Sequence, residues 1–451
     1  NGRIIVGGKG RKHPKEADVF LHIAMKVAKN CRYVEPQFTL RFDKDTSEEI
    51  WDEALDALGA GATYPTLYND DVNVPAVMYG MRVDEKTAEQ YVPFGCTEFV
   101  IQGQSTGTPN ICINLLKLLT IYMNDGIDPI DGKRKSGPVS LKKLEEYQTF
   151  EEFYDGYKAL LDYYLDLSVK AQYHSYEVMN QHVSFLFTSL LTDDCIARGK
   201  ALLDGGVRYL GGTNETYGNI NTSDSLWVIR DLVFNQKKYT LRQLNDAMLA
   251  NFNGYEALRK DCLNCDKYGN DLETADTMAN DLYEFVAKGV RDRGIAIGMQ
   301  YFLIVISNNQ LNTEWGNRTA ASPDGRLSCM YMNPANNPQG GANKSGPTAM
   351  LNSLAKFDAK YHGGSVQNIK FSPSMFNENR AVIKSLFKTY FAKGGCHLMV
   401  TVVDKGVLED AVEHPENYPD LIVRVSGFSA VFVDLSPNIQ QELLSRVLYD
   451  K

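Results

Sequence analysis

Residues 421–435 read Leu421-Ile422-Val423-Arg424-Val425-Ser426-Gly427-Phe428-Ser429-Ala430-Val431-Phe432-Val433-Asp434-Leu435. Two β-branched and aromatic runs, Ile422-Val423 and Val431-Phe432-Val433, enclose a glycine-centred stretch, which predicts strand, turn and strand. On the plainest reading Gly427 is the tip of that turn, because glycine alone takes positive φ or close backbone approach without steric cost. The chemical reading goes further. A Cα without a side chain can flatten into a planar radical stabilised by its two flanking amides, which makes Gly427 a candidate radical store.

A second stretch supplies a partner. Residues 64–98 run YPTLYNDDVNVPAVMYGMRVDEKTAEQYVPFGCTE and end in Phe94-Gly95-Cys96-Thr97-Glu98. Free cysteine most often behaves as a small buried hydrophobe. A thiol is also easily oxidised by one unit, a thiyl radical abstracts carbon-bound hydrogen, and S–H and glycyl Cα–H bonds are close in strength. Cys96 is therefore the candidate transfer agent. The two stretches together resemble the glycyl radical enzymes of the pyruvate formate-lyase-like superfamily. Their radical loop is Arg-Val-Ser-Gly followed by an aromatic and a small residue. Their cysteine loop follows a Pro-x-Leu-x-Asn-Asp stretch, a short apolar run and a helix, and reads Gly-Cys-x-Glu in one group. The resemblance continues through Gly205-Gly206 to Asp224-Ser225-Leu226, with Leu210 where the family has asparagine, and through Asn251-Phe252 to Asn270-Asp271. It extends through Ser322-Pro323-Asp324-Gly325-Arg326, Asn337-Pro338-Gln339-Gly340, Gly346-Pro347-Thr348-Ala349, Gly394-Gly395-Cys396 and His414-Pro415-Glu416. It covers essentially the whole chain. Cys396 stands where the family usually has glutamine or a related residue and has no interpretation from sequence.

The resemblance implies an α/β fold, the C-terminal half of a ten-stranded β/α barrel with the cysteine and glycine loops meeting inside. Residues 1–395 are expected to form the barrel portion, with the cysteine loop at about 90–110, and residues 396–451 the glycine radical domain. Family proteins are about twice as long, and the chain opens Asn1-Gly2-Arg3-Ile4-Ile5-Val6-Gly7-Gly8, a strand ending in glycines. The implied first half-barrel lies outside this chain, by truncation or because another chain supplies it. A half-barrel alone would expose an apolar sheet edge and face. The resemblance further implies that Gly427 stores the radical and Cys96 becomes the thiyl, with Arg424, Ser426 and Phe428 supporting the loop. It implies no metal, no cofactor bound in the mature enzyme, a separate iron–sulfur S-adenosylmethionine activase, a homodimer and anaerobic metabolism.

Position 98 bears on the reaction type. A glutamate two residues past the cysteine can enter the same pocket, where burial would raise its pKa and let it exchange protons with a hydroxyl or leaving group; the bland alternative is a solvated loop residue. Gly-Cys-x-Glu marks the family's dehydratases, carbon–heteroatom lyases and arylacetate decarboxylases, whereas pyruvate formate-lyase has adjacent cysteines. Thr97 thus disfavours a formate C-acyltransferase. In glycerol and propanediol dehydratases an aspartate lies fourteen residues past the cysteine; Asn110 stands there, which disfavours a simple diol dehydratase. Asn110 and Thr108 are weak candidates for substrate contact. The expected function is a glycyl radical lyase or dehydratase, or a decarboxylase, acting on a small organic substrate. A noncatalytic half-chain that completes or repairs a partner is an alternative from another class.

Composition agrees without deciding. The chain has 451 residues, 43% hydrophobic and 23% charged, enough for a substantial core. A net charge of −9 leaves no dominant basic face for nucleic acid or anionic membrane. No transmembrane-length run or signal-peptide pattern is present in the sequence, so a cytoplasmic location is expected. Eight scattered cysteines read as reduced thiols. Cys262-x-x-Cys265 is a single pair and weak evidence for zinc or redox use. Gly7-Gly8-Lys9-Gly10 lacks the phosphate-loop pattern and reads as a turn, none of the seven histidines forms His-Glu-x-x-His, and Asp70-Asp71 reads as loop structure.

Periodicity predicts helices over residues 17–28, 47–58, 111–123, 240–258, 275–292 and 377–393, mostly long helix over 150–203, and a strand at 38–42. Thr108-Pro109-Asn110 is expected to start the 111–123 helix, Cys96 to sit on a loop, and the Pro- and Gly-rich stretch 322–347 to wrap an interior site.

Overall fold

The computed structural model describes residues 2–31, 33–107, 110–307 and 310–450. Its framework is two sheets. In the first, Arg3–Gly7, Gln37–Phe42 and Thr66–Asn69 run parallel, and Thr66–Asn69 then pairs antiparallel with His397–Val402. His397–Val402 continues parallel to Asn368–Phe371 and on to Leu448–Tyr449. The second sheet is wholly parallel: Asn110–Asn114, Gly211–Tyr217, Tyr301–Ile306 and His362–Ser365. Two antiparallel hairpins are added, Tyr91–Phe94 with Glu98–Ile101, and Ile422–Arg424 with Ser429–Val431.

Helices between parallel strands supply the crossovers that parallel pairing requires. Pro14 opens Pro14–Asn30, Ser47 Oγ accepts from Ile50 N ahead of Glu48–Gly59, and Thr149 caps the 33-residue helix Phe150–His182. That long helix buries Phe153, Tyr157, Leu160, Leu161 and Leu165 in the main core, which Glu273–Ala296 shares through Leu282, Val286 and Val290. A smaller core, Leu408, Val423, Val425, Phe432, Ile439 and Leu443, forms around the second hairpin.

Several sequence expectations change. Asn110–Asn114 is a strand, and the helix begins only at Leu115, where Asn114 Oδ1 caps Lys117 N; pairing with Gly211–Tyr217 overrides the helical spacing. The long helix ends at His182, after which Ser184 and Phe185 take positive φ. The 240–258 helix breaks after Leu249, with Asn251 and Phe252 at positive φ. Asp70 and Asp71 are the first turn of helix Asp70–Met81, not loop, and Asp70 forms a bidentate buried pair with Arg41 at 2.8 and 2.9 Å. In the radical-loop hairpin the return strand ends at Val431, and Phe432–Asp434 is a short 3-10 turn. Among the described residues the exposed large apolar side chains lie on helices, turns and coil, Phe94 excepted, with a concentration at Leu186, Phe187, Leu190, Leu191 and Ile196. Helices pack on the strands, as Glu273–Ala296 does on Tyr301–Ile306, and each hairpin touches a sheet strand: Glu98–Ile101 meets His362–Ser365, and Ile422–Arg424 meets His397–Val402.

Candidate active site

The cysteine loop is a tight hairpin. Phe94 pairs with Glu98, leaving Gly95-Cys96-Thr97 to turn the chain, and Gly95 and Thr97 do so at φ of 49° and 90°. Positive φ at a β-branched threonine is strained and persists only when its surroundings enforce it. The enforcing surface is the strand His362–Ser365: a Cβ on Gly364 would lie 2.3 Å from Thr97 O, so only glycine lets the loop settle there.

The glycine loop meets it from the other side. Val425 N and Ser426 N both donate to Phe428 O, at 3.1 and 3.3 Å, closing the turn that presents Gly427. Gly427 does not have the positive φ that a turn tip predicts; the demand for glycine is spatial, since a Cβ there would sit 2.5 Å from Cys96 Sγ and 2.6 Å from Cys96 Cα. Arg3, Gln37, Gly95, Cys96, Gly427 and Phe428 are among the residues lining a cavity of about 610 Å³.

Polar groups surround the pair. Burial and the Glu98 charge push the Cys96 thiol up to about 12, while Ser307 acts in the opposite sense. The sulfur therefore keeps its hydrogen at neutral pH, the form that hydrogen-atom transfer requires. Glu98 is 4% exposed, its Oε2 has no hydrogen-bond partner among the described residues, and burial together with the Glu215 charge raises its pKa to about 8. Asn110 Nδ2 donates to Glu215 Oε1 at 2.7 Å and Glu98 Oε1 at 3.4 Å, and Thr213 Oγ1 donates to Asn110 Oδ1 at 2.5 Å. Tyr217 OH donates to Glu215 Oε2 at 2.5 Å and lies 3.5 Å from Ser307 Oγ. Strand register explains the grouping, for Asn110, Cys112 and Asn114 pair with Thr213, Glu215 and Tyr217 and share one face of the second sheet.

Arg424 is 1% exposed and reaches Gln37 Oε1, Ser429 Oγ and Met399 Sδ; burial lowers its pKa to about 10. Ser426 is fully buried and Phe428 half-buried. Thr108 lies outside the described residues. Cys396 is buried, with its sulfur 3.9 Å from His362 Nε2. The Cys262/Cys265 pair lies in another part of the fold, where Lys267 Nζ donates to both backbone carbonyls. A different trio, His22, Glu49 and Glu53, brings ligand atoms within 4.8 Å of one another on the partly exposed surface of the first two helices.

Sequence reasoning missed Arg3, Gln37, Glu215, Tyr217 and Ser307. A signal for Glu215 existed: a glutamate inside Gly211-Gly212-Thr213-Asn214-Glu215-Thr216-Tyr217, a strand-like run in which a buried acid has to be held by partners. Arg3, a charge at the head of Ile4-Ile5-Val6, carried no comparable mark.

Comparison with known proteins agrees with this geometry. The pyruvate formate lyase-like family model matches residues 1–311 and the glycine radical model residues 332–433. Trans-4-hydroxy-L-proline dehydratase of Clostridioides difficile is 30% identical over 428 residues, 94% of this chain and 54% of that protein. (2S)-3-Sulfopropanediol dehydratase of Klebsiella oxytoca is 27% identical over 455 residues, 98% of this chain and 54% of that protein. The glycerol-bound B12-independent glycerol dehydratase from Clostridium butyricum superposes with a TM-score of 0.92 at 29% identity, covering 100% of this chain and 57% of that one. The chain spans about half the length of the curated relatives it matches. With a cysteine hairpin and a glycine hairpin packed against each other, and family models matching on both sides of that contact, the chain belongs to the pyruvate formate lyase-like family of glycyl radical enzymes.

Proposed function

We propose that the protein is a glycyl radical lyase or dehydratase in which Gly427 stores the radical and Cys96 transfers it. The observation that carries this reading is the packing of Cys96 Sγ and Cα into the space a side chain at position 427 would need. In the forward direction the Gly427 radical takes hydrogen from Cys96, leaving a thiyl; the thiyl takes hydrogen from a substrate carbon; and a leaving group departs from the neighbouring carbon as Glu98 gives it a proton. The proton released by the substrate returns to Glu98, and the product radical recovers its hydrogen from Cys96. A glutamate that holds its proton to about pH 8 suits that donor role. The relatives include these two dehydratases and also 4-hydroxyphenylacetate decarboxylase of Clostridioides difficile, so elimination and decarboxylation both stay within this reading. Thr97, in place of a second cysteine, weighs against formate C-acyltransferase chemistry, and a chain with its own cysteine loop weighs against a purely noncatalytic partner.

For Asn110, its hydrogen bonds to both glutamates support an orienting role. Arg424, Ser426 and Phe428 support the radical loop. A radical domain of residues 396–451 is favoured by the separate small core around the second hairpin. Further parts of this reading are activation by a separate S-adenosylmethionine/iron–sulfur enzyme, no cofactor retained afterwards, a homodimer, and a cytoplasmic, anaerobic setting. Among the described residues no helix is long and apolar enough to cross a membrane.

The test is anaerobic incubation with an activating enzyme and S-adenosylmethionine, electron paramagnetic resonance, and then exposure to air. A glycyl doublet in the parent and in Cys96→Ala, with backbone cleavage at Gly427 after oxygen, is the expected result. A folded protein that gives neither with a proven activator overturns the reading.

A further inference from the structure

The two radical-bearing loops are joined by a side chain that belongs to neither. Arg3 pairs with Gln37 in the parallel register of the first sheet, which sets their side chains next to each other. From there its guanidinium reaches across both hairpins. Nη1 donates to Pro93 O at 3.0 Å; Nη2 donates to Gly95 O at 2.8 Å, to Gln37 Oε1 at 2.9 Å and to Gly427 O at 3.1 Å. Gln37 Oε1 in turn accepts from Arg424 Nη1 at 3.3 Å, at the head of the glycine loop. One planar fork thus holds the residue before Cys96 and the glycine itself, while its neighbour holds the loop's base.

We infer that Arg3 is a positioning residue for hydrogen-atom transfer between Gly427 and Cys96; this rests on the radical function proposed above. In that step a C–H bond forms at Gly427 as the S–H bond of Cys96 breaks, one hydrogen atom moves, and no proton or electron enters from outside. Its rate depends steeply on the distance between carbon and sulfur, and Arg3 bonds the carbonyl of Gly427 and the carbonyl next to Cys96 through the same nitrogen. A second effect is electronic. The Gly427 carbonyl is the acceptor arm of the delocalised radical, and a cationic donor on that oxygen draws spin density toward it. Lysine provides a charge but not the planar, multi-bond geometry, so it is only a partial replacement.

The experiment compares the parent with Arg3→Lys and Arg3→Ala, using two readouts. In the resting protein, anaerobic alkylation of Cys96 by iodoacetamide, followed by peptide mass spectrometry, reports loop opening. Loss of charge-assisted bonds should speed it on the order of tenfold in Arg3→Ala. In the activated protein, the doublet arises from the one hydrogen on the Gly427 radical carbon. In D2O it collapses to a singlet as Cys96, whose S–H exchanges with solvent, returns deuterium. Arg3→Ala should slow this collapse on the order of a hundredfold and shift the g values, with Arg3→Lys between the two. If folded Arg3→Ala matches the parent in alkylation, collapse and g values, the inference falls while the radical function stands. If the parent shows no doublet, the radical function falls and takes this inference with it.

Discussion

Glu98 and Glu215 meet across a single amide: Asn110 Nδ2 donates to Glu215 Oε1 at 2.7 Å and to Glu98 Oε1 at 3.4 Å. Burial and, after it, the Glu215 charge raise the pKa of Glu98 and of Cys112, which pairs with Glu215 across the strands; for Cys96 burial and the Glu98 charge act first, and Glu215 adds a smaller push in the same direction. Arg3 opposes this for both Glu98 and Cys96. Glu215→Gln keeps an acceptor for Asn110 but removes the charge. The Glu98 titration, followed as its protonated carbonyl band in infrared spectra and assigned with Glu98→Gln, should move to lower pH from about 8. An unmoved midpoint would place the control of Glu98 in burial alone.

Stability should carry the same signature. Folded Glu98 holds its proton to about 8, whereas an unfolded glutamate releases it near 4.5. Between these values the folded state binds more protons, so this group's contribution to stability falls as pH rises through the window and is flat outside it. Glu98→Gln, which stays neutral, should gain stability over the parent at pH 8 compared with pH 4.5. Paired urea melts at the two values measure the difference.

Gly427→Ala tests the contact between the loops. Its methyl group would need the space held by Cys96 Sγ and Cα, at 2.5 and 2.6 Å, so the hairpins must part. A cost of about 1–3 kcal/mol in chemical denaturation is expected. No glycyl doublet should form, and Cys96 should become more accessible to alkylation.

Asp70→Ala should be the most damaging of these changes. It strands Arg41, which is 6% exposed and bonded to both Asp70 oxygens, and removes the acceptor of Tyr91 OH at 2.9 Å. Losing one member of a buried ion pair costs about 3–5 kcal/mol. Because Arg41 Nη1 also donates to Tyr91 O, at the start of the cysteine hairpin, faster hydrogen exchange should spread into residues 91–101.

The site was legible where chemistry demands a fixed residue in a fixed local setting. Gly427 and Cys96 stood out because each lies in a short turn whose sequence resembles a known loop, and Glu98 because it shares the turn with Cys96. Asn110 was visible as a residue but misplaced on a helix, since spacing cannot reveal that residues 110–114 find a strand partner at 211–217. Glu215, Tyr217 and Ser307 enter the site only through that parallel register, and Arg3 only through hydrogen bonds to residues about ninety and four hundred positions away, as in its bonds to Gly95 (92 apart) and Gly427 (424 apart). For glycine at 427 the sequence named two reasons, positive φ or close approach, and could not choose between them, because the approach is made by Cys96 and is not written in the local backbone.

The seam between Thr66–Asn69 and His397–Val402, which joins two groups of parallel strands, has a consequence for folding. Its register pairs, Tyr68 with His397 and Leu67 with Leu398, bring together segments more than three hundred residues apart, and contacts of such separation form late because loop closure must precede them. On a ribosome, the early strands and the cysteine hairpin emerge long before the radical loop does. Cys96 therefore has no glycine beside it until the C-terminal segment has docked, so in a nascent or misassembled chain the hydrogen transfer proposed between the two residues has no path, and that transfer would report completed folding.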